Sequence, residues 1–225
     1  QAESCGVARV WWLGVRLGEW EQSLVRLTIE VGCGFEAGSV CSALSAEWFS
    51  LADRHMSAGN SLWRGALPQI LTFELSGRRF AVIHGGVASI NRFLFASTPE
   101  AEKISEMQLL GDDIDGILAG HCGLPFGQIF AGKAWLNAGV IGMPANDGTR
   151  DGWYLLLEPA GANLHASWCR LSYPAEQTRE SMLSAGLTSG YADSILSGLW
   201  PSEDVLPSAE RRQRGQALKL PPLVF

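Results

Sequence analysis

The sequence predicts an α/β fold in which helices layer onto a mixed sheet. Three observations carry this. Helical-period and extended segments interleave along the whole chain, several extended segments are joined as hairpins, and two buried apolar runs each end in a histidine flanked by glycine. Hairpin-linked strands fit a layered mixed sheet better than a doubly wound parallel one. The 225 residues can bury one full core. A hydrophobic content of 47% with 18% charged residues matches a globular chain and excludes disorder. A net charge of −6 argues against a general nucleic-acid binder. No run approaches a membrane span, and no basic stretch precedes an apolar core at the start. Five cysteines at scattered spacing do not read as a disulfide framework, so a reducing, cytoplasmic setting is expected.

Taken in order, Val7 to Val15 reads as a buried strand and Gln22 to Ile29 as a short helix, with a loop at Gly18–Glu21 between them. A glycine-rich loop holds Cys33, and Cys41 follows. Two thiols without two further ligands nearby read as structural. Ser39 caps a helix to about Met56, with Val40, Leu44, Trp48, Leu51 and His55 at helical spacing and His55 a partner for the C-terminal dipole. A second helix runs from Gly59-Asn60 towards Leu67 and is stopped by Pro68. Ile70–Leu75 and Arg79–Ile83 form a hairpin around Ser76-Gly77. Thr98-Pro99-Glu100 starts a helix that ends at Gly111, with Thr98 as the capping residue. Asp112, Asp113 and Asp115 then form an acidic turn, which reads as solvated rather than as a cation site. Trp153–Glu158 and Asn163–Leu171 pair around residues 159–162, with His165 on a sheet face. Helices follow from Pro174 to Ala185 and from Gly190 to Leu199. Residues 1–206 are assigned to one domain and 207–225, with Arg211, Arg212 and Arg214, to a solvated C-terminal tail.

Function concentrates in residues 114–147. The apolar run Ile117-Leu118-Ala119 ends in Gly120-His121-Cys122-Gly123, and a hairpin-like segment closes on Asn137-Ala138-Gly139-Val140-Ile141-Gly142. Upstream, Phe80-Ala81-Val82-Ile83 ends in His84-Gly85-Gly86. A strand end holds an imidazole rigidly, and flanking glycines permit a sharp turn and close approach. Two readings of the pair stand side by side: metal ligands, or buried histidines bonded to backbone carbonyls. Asn137 reads as a turn residue or as a holder of the loop beside His121. Asn91 and Arg92 follow the His84 loop, where they would reach a substrate phosphate or serve a structural salt bridge. Cys122 has no evident base beside it, which argues against a catalytic thiol.

In this order the segments from His84, Gly120 and Leu136 resemble the calcineurin-like metallophosphoesterases, most closely their small bacterial YfcE-like branch. The likeness extends to Gly32–Glu36 and to Gly190-Tyr191 through Trp200-Pro201, and so spans most of residues 18–206. It implies a β-sandwich flanked by helices, with a centre of two divalent ions (Mn, Fe or Zn) at the strand ends. That family's motifs run D-x-H, G-D, G-N-[HC]-[DE], [GH]-H and G-H-x-H. His84 and His121 match ligand positions of the fourth and fifth. Gly18-Glu19-Trp20-Glu21 aligns with the third, placing Glu19 where the metal-binding Asn would stand. Gly59-Asn60-Ser61 is a second-ranked alignment for that motif. Val15 stands where an aspartate is expected, Gly123 where the last histidine is expected, and nothing before Val10 matches D-x-H.

The resemblance therefore implies a chain incomplete at its N-terminus, lacking the first strand or strands and prone to self-association. The function it implies is metal-dependent hydrolysis of a small phosphorylated substrate, a monoester or diester, with His84, His121 and Glu19 as metal ligands and Asn91 and Arg92 on the substrate. The alternatives are a catalytically degenerate phosphoesterase-like binding module and, third, a thiol-dependent or single-metal protein using Cys33, Cys41 or Cys122.

Overall fold

A computed structural model describes residues 34–188 and 190–225. The strand expected at 7–15, the helix expected at 22–29, Glu19, Val15 and Cys33 lie outside the described residues. The elements are α1 (Val40–His55), α2 (Ala58–Gly65), β1 (Leu71–Leu75), β2 (Arg78–Val82), α3 (Glu100–Gln108), β3 (Gly116–Ala119), β4 (Phe126–Phe130), β5 (Lys133–Asn137), β6 (Gly152–Ala160), β7 (Asn163–Leu171), α4 (Ala175–Ser184), α5 (Tyr191–Ser197), α6 (Ser208–Arg211) and β8 (Leu223–Val224). A five-stranded sheet has the order β1-β2-β3-β5-β4, and a three-stranded sheet the order β6-β7-β8. Strands β2, β3 and β5 run parallel, while β1 and β4 join antiparallel at the edges. This is the mixed sheet that the hairpin signals imply.

The hairpin turns follow from backbone chemistry. Phe130 pairs with Lys133 across Ala131-Gly132, and Leu75 with Arg78 across Ser76-Gly77. All four turn residues have positive φ, as two-residue turns that match strand twist require.

Strand periodicity sorts the core into two layers. Phe80, Val82, Leu118, Ala134 and Leu136 face Trp153, Leu155, Leu157, Leu164 and Trp168 of the second sheet. The alternate residues Ala81, Ile83, Ile117, Ala119 and Trp135 face Met107 of α3 together with Leu94, Phe95 and Trp200. The central strands are thus buried on both faces, which is why β3 reads as a continuous apolar run. The sheets make a sandwich with helices on its outer side. Among the described residues no helix is long and apolar enough to cross a membrane.

Several local expectations change. Residues 207–225 are not a free tail. Glu210 of α6 is buried and accepts from Ser97 N (3.0 Å) and Ser97 Oγ (2.7 Å). β8 pairs with β7, and Phe225 packs on Phe80 with ring centroids 6.2 Å apart. The three arginines are exposed, as expected. On α1 the buried positions are Cys41 and Ser45, and Val40 points to solvent, so the apolar stripe is rotated by one residue. Ser39 caps it as expected, accepting from Ser42 N, and His55 Nδ1–H donates to Leu51 O. Thr98 does not cap α3: Pro99 holds that place, and Thr98 Oγ1 accepts instead from Phe95 N. In the acidic turn Asp113 pairs with Arg79, and Asp115 accepts from Arg79 N at 2.7 Å.

Candidate functional site

β2 and β3 are adjacent and parallel, so the histidines that follow them emerge side by side. Gly120 N donates to His84 O (2.8 Å) and extends the ladder past the last strand residue. The rings of His84 and His121 lie 5.0 Å apart, centroid to centroid, at 52°. Gly85 explains the closeness, because a Cβ there would stand 2.5 Å from Ile90 O and 3.2 Å from His121 Cβ. The loop after β2 folds onto the loop after β3 only because residue 85 has no side chain.

His121 is held from three directions. Its φ is 62°, a left-handed conformation uncommon for a non-glycine residue. Its Nε2 lies 3.0 Å from Asn91 O, and since a carbonyl only accepts, Nε2 carries the proton. Nδ1 is then the nitrogen with a lone pair to offer a cation. Phe93 packs on the ring at 4.1 Å and is itself 5.7 Å from Phe35.

Asn137 is fully buried and answers the question its sequence context left open, because it both makes the turn and holds the loop. Its Oδ1 accepts from Gly139 N (3.0 Å), while Nδ2 donates to Gly120 O (2.8 Å) and Cys122 Sγ (3.2 Å). Cys122 is buried, and desolvation pushes its thiol up to about 12, leaving almost no thiolate at neutral pH. That removes Cys122 from the thiol-dependent reading. Cys41 is also buried.

Asn91 stands against His121 through its carbonyl, and its Oδ1 accepts from Ser89 Oγ (2.6 Å). Arg92 takes the salt-bridge alternative. Its guanidinium is shared between Glu102 and Glu106 of α3, and Glu106 also accepts from Ala88 N at 2.9 Å. This braces the loop after β2, and a guanidinium divided between two carboxylates has little net charge left for a phosphate. Asn60 is exposed within α2, its backbone N–H donating to Ser57 Oγ at 3.2 Å.

Gly123 departs from the family motif for a reason in the packing. Its φ is 78°, and a Cβ there would stand 2.9 Å from Trp200 Cζ2 and 3.0 Å from Cη2. Trp200 is anchored at both ends: Nε1–H donates to Pro144 O (2.6 Å), and its backbone N donates to Asn146 Oδ1 (2.8 Å). The indole closes the space a histidine side chain at 123 would need. Sequence reasoning missed Trp200 as a site residue; the only signal was its place in the Gly190–Pro201 likeness. Beside His121 and Cys122 this indole walls a cleft of about 80 Å³.

The donor set permits a direct test of fit. Two imidazoles suit one divalent ion as two of its ligands, but an ion usually takes three protein ligands or more. Among the described residues no group of three His, Cys, Asp or Glu side chains converges to hold a metal. The pair fits a share of one ion and does not by itself fit a centre of two.

No family model matches the sequence, and no curated protein matches it. Solved structures do match. A hypothetical protein, PH1004, from Pyrococcus horikoshii superposes with a TM-score of 0.62 at 9% identity over 80% of this chain and 71% of that one. A metallophosphoesterase from Sphaerobacter thermophilus superposes with a TM-score of 0.57 at 16% identity over 81% of this chain and 75% of that one. A mixed sheet in a sandwich flanked by helices is thus an architecture shared with solved proteins, and the chain has a metallophosphoesterase fold.

Proposed function

We propose that the protein is a metal-dependent phosphoester hydrolase, with His84, His121 and Glu19 as ligands of a divalent ion. One observation carries this reading: the two imidazoles stand 5.0 Å apart at the ends of adjacent parallel strands in this fold. A divalent ion supplies Lewis-acid contact to a phosphoryl oxygen and makes a bound water more acidic. The chain's own residues hold the ligands ready for it. The Asn91 carbonyl fixes the His121 tautomer so that Nδ1 is presented. Asn137 clamps the 120–122 turn, and Arg92 with Glu106 braces the loop on the His84 side.

The test is metal retention, by elemental analysis, with Mn²⁺-dependent hydrolysis of bis(p-nitrophenyl) phosphate as the activity readout. Removing an outer-shell partner of a ligand typically costs roughly 10–100-fold in affinity or activity, so His84→Ala and His121→Ala should each cost more than that. Equal retention and equal turnover in both variants would refute the assignment. A second reading, a phosphoesterase-fold binding module without hydrolysis, is favoured by the Trp200 indole that closes the position of the last motif histidine. It is the correct one if the full-length chain binds phosphate esters and leaves them intact at every metal loading.

A further inference from the structure

One loop serves both halves of the imidazole pair. It begins with His84 and runs to Asn91 and Arg92, and the Asn91 carbonyl accepts from His121 Nε2. The loop is folded tightly on itself, with Gly86 N and Arg92 N both donating to Ser89 O at 3.1 Å. Gly85 lets it lie against His121, and Gly86 lets it lie against α3, since a Cβ at 86 would stand 3.2 Å from Glu106 Oε2. The seating of this loop therefore sets both how His84 leaves its strand and which nitrogen of His121 carries the proton.

Helix α3 grips the loop through a buried carboxylate. Glu106 is 1% exposed. Its Oε2 accepts from Val87 N (2.5 Å) and Ala88 N (2.9 Å), and its Oε1 accepts from Arg92 Nη1. The donors enter at the middle of the loop and at its far end, next to Asn91. Both oxygens are engaged, so Glu106 acts on the pair only through the loop. Three donors converging on one side chain demand a group that only accepts. A carboxylate does so, whereas a carboxamide accepts through one oxygen and turns an NH₂ towards the remaining donors. A buried charge persists where it is paired and hydrogen-bonded, and Arg92 supplies the pairing.

We propose that Glu106 is the positioning residue of the imidazole pair: its charge fixes, through one loop, both the direction of His84 and the proton-bearing nitrogen of His121. That the pair binds a divalent ion rests on the reading above, whereas the ordering of the pair by Glu106 stands without it. The charge matters because the neutral isostere leaves a buried amide or the guanidinium without its acceptor. Asn137 holds the 120–122 turn in the same way, so a buried polar side chain secures each flank of the pair.

Glu106→Gln, set beside Leu157→Ala, tests this in the full-length chain without added metal. Both variants should lower Tm, Leu157→Ala by removing contacts in the core layer of the second sheet. Only Glu106→Gln should weaken the His121 Nε2–H proton resonance through exchange with water. It should also speed amide exchange at Val87 and Ala88 by about tenfold. Titrated with Mn²⁺, it should bind about 10–100-fold more weakly than the parent, the usual effect of losing an outer-shell partner. Arg92→Lys keeps the charge but not the fork between two carboxylates. It should move each readout the same way by less, which keeps the test sound if Glu106→Gln folds poorly. A His121 signal unchanged in both loop variants, or lost equally in Leu157→Ala, would overturn the proposal. The signal lost as described, with a parent chain that binds no Mn²⁺, would sustain the positioning role and reject the metal reading.

Discussion

Restoring a histidine at position 123 should damage the protein rather than repair a metal site. Gly123 has φ 78°, and any L side chain there costs about 1–2 kcal/mol in left-handed strain. Its Cβ would also stand 2.9 Å from the Trp200 ring. That ring is bonded at its indole nitrogen and at its backbone amide, so it yields only by breaking one of them. Overpacking of this kind costs about 1–3 kcal/mol. Together the effects give roughly 2–5 kcal/mol, or about 4–20 °C in Tm for a chain of this size. The assay is thermal and urea unfolding of Gly123→Ala, Gly123→His, Trp200→Phe and the Gly123→Ala/Trp200→Phe pair. Trimming the indole to a phenyl removes the ring that the new Cβ meets. The double variant should therefore be less destabilised than the sum of the singles, by roughly 0.5–3 kcal/mol. The reasoning fails if Gly123→Ala melts with the parent, if the cycle shows no coupling, or if Gly123→His tightens metal binding without loss of stability.

Three further outcomes are expected. Asn137→Ala strands the Gly120 carbonyl and the Gly139 amide in a buried setting, for a loss of roughly 2–5 kcal/mol, with amide exchange rising first at residues 119–123. With its thiol pushed up to about 12, Cys122 should resist iodoacetamide at pH 8 in the folded chain, whereas half-buried Cys169 labels ahead of it; prompt native-state labelling at Cys122 would contradict this. Burial pulls Asp147 upward, but hydrogen bonds from Thr149, Leu218 and Arg170 outweigh it and hold its carboxyl below the usual range. Its stabilising contribution is therefore full above roughly pH 4 and lost as pH falls through the folded-state value, so Asp147→Asn should flatten the acid limb of the stability–pH curve. Matching limbs in both proteins would count against it.

The legible parts of the fold are those written in local chemistry. The alternation of Phe80 and Val82 with Ala81 and Ile83 is the two-layer core in period-two form, and Ser76-Gly77 carries the turn that its positive φ angles demand. The His-Gly and Gly-His strand ends gave away the imidazole pair for the same reason. What escaped depends on partners distant in sequence. Leu223–Val224 is too short to declare itself, and it becomes a strand because the edge of β7 offers it hydrogen bonds. The arginines at 211, 212 and 214 pointed instead to a solvated tail. Val40 fits the apolar stripe by spacing, yet Asp204 bonds its backbone N and the helix docks through Cys41 and Ser45. Arg92 left a phosphate contact and a salt bridge both open, because its partners Glu102 and Glu106 come from α3. Gly123 looked like a bare loss of a ligand until Trp200 filled the space.

The site and the sandwich meet in one residue. The backbone carbonyl of Asn137 accepts from Trp168 Nε1 of the second sheet at 2.7 Å, while its side chain grips the turn that carries His121. Trp168 reaches it only because residue 127 is glycine, since a Cβ there would stand 2.1 Å from the indole. Sheet-to-sheet packing therefore sets where Asn137 lies, and Asn137 sets the turn beside His84. The orientation of His121 is bound into the core, where misfit is costly, and does not depend on a metal to hold the loop in place. The alignment of the strand-end pair is thus tied to the packing of the two sheets.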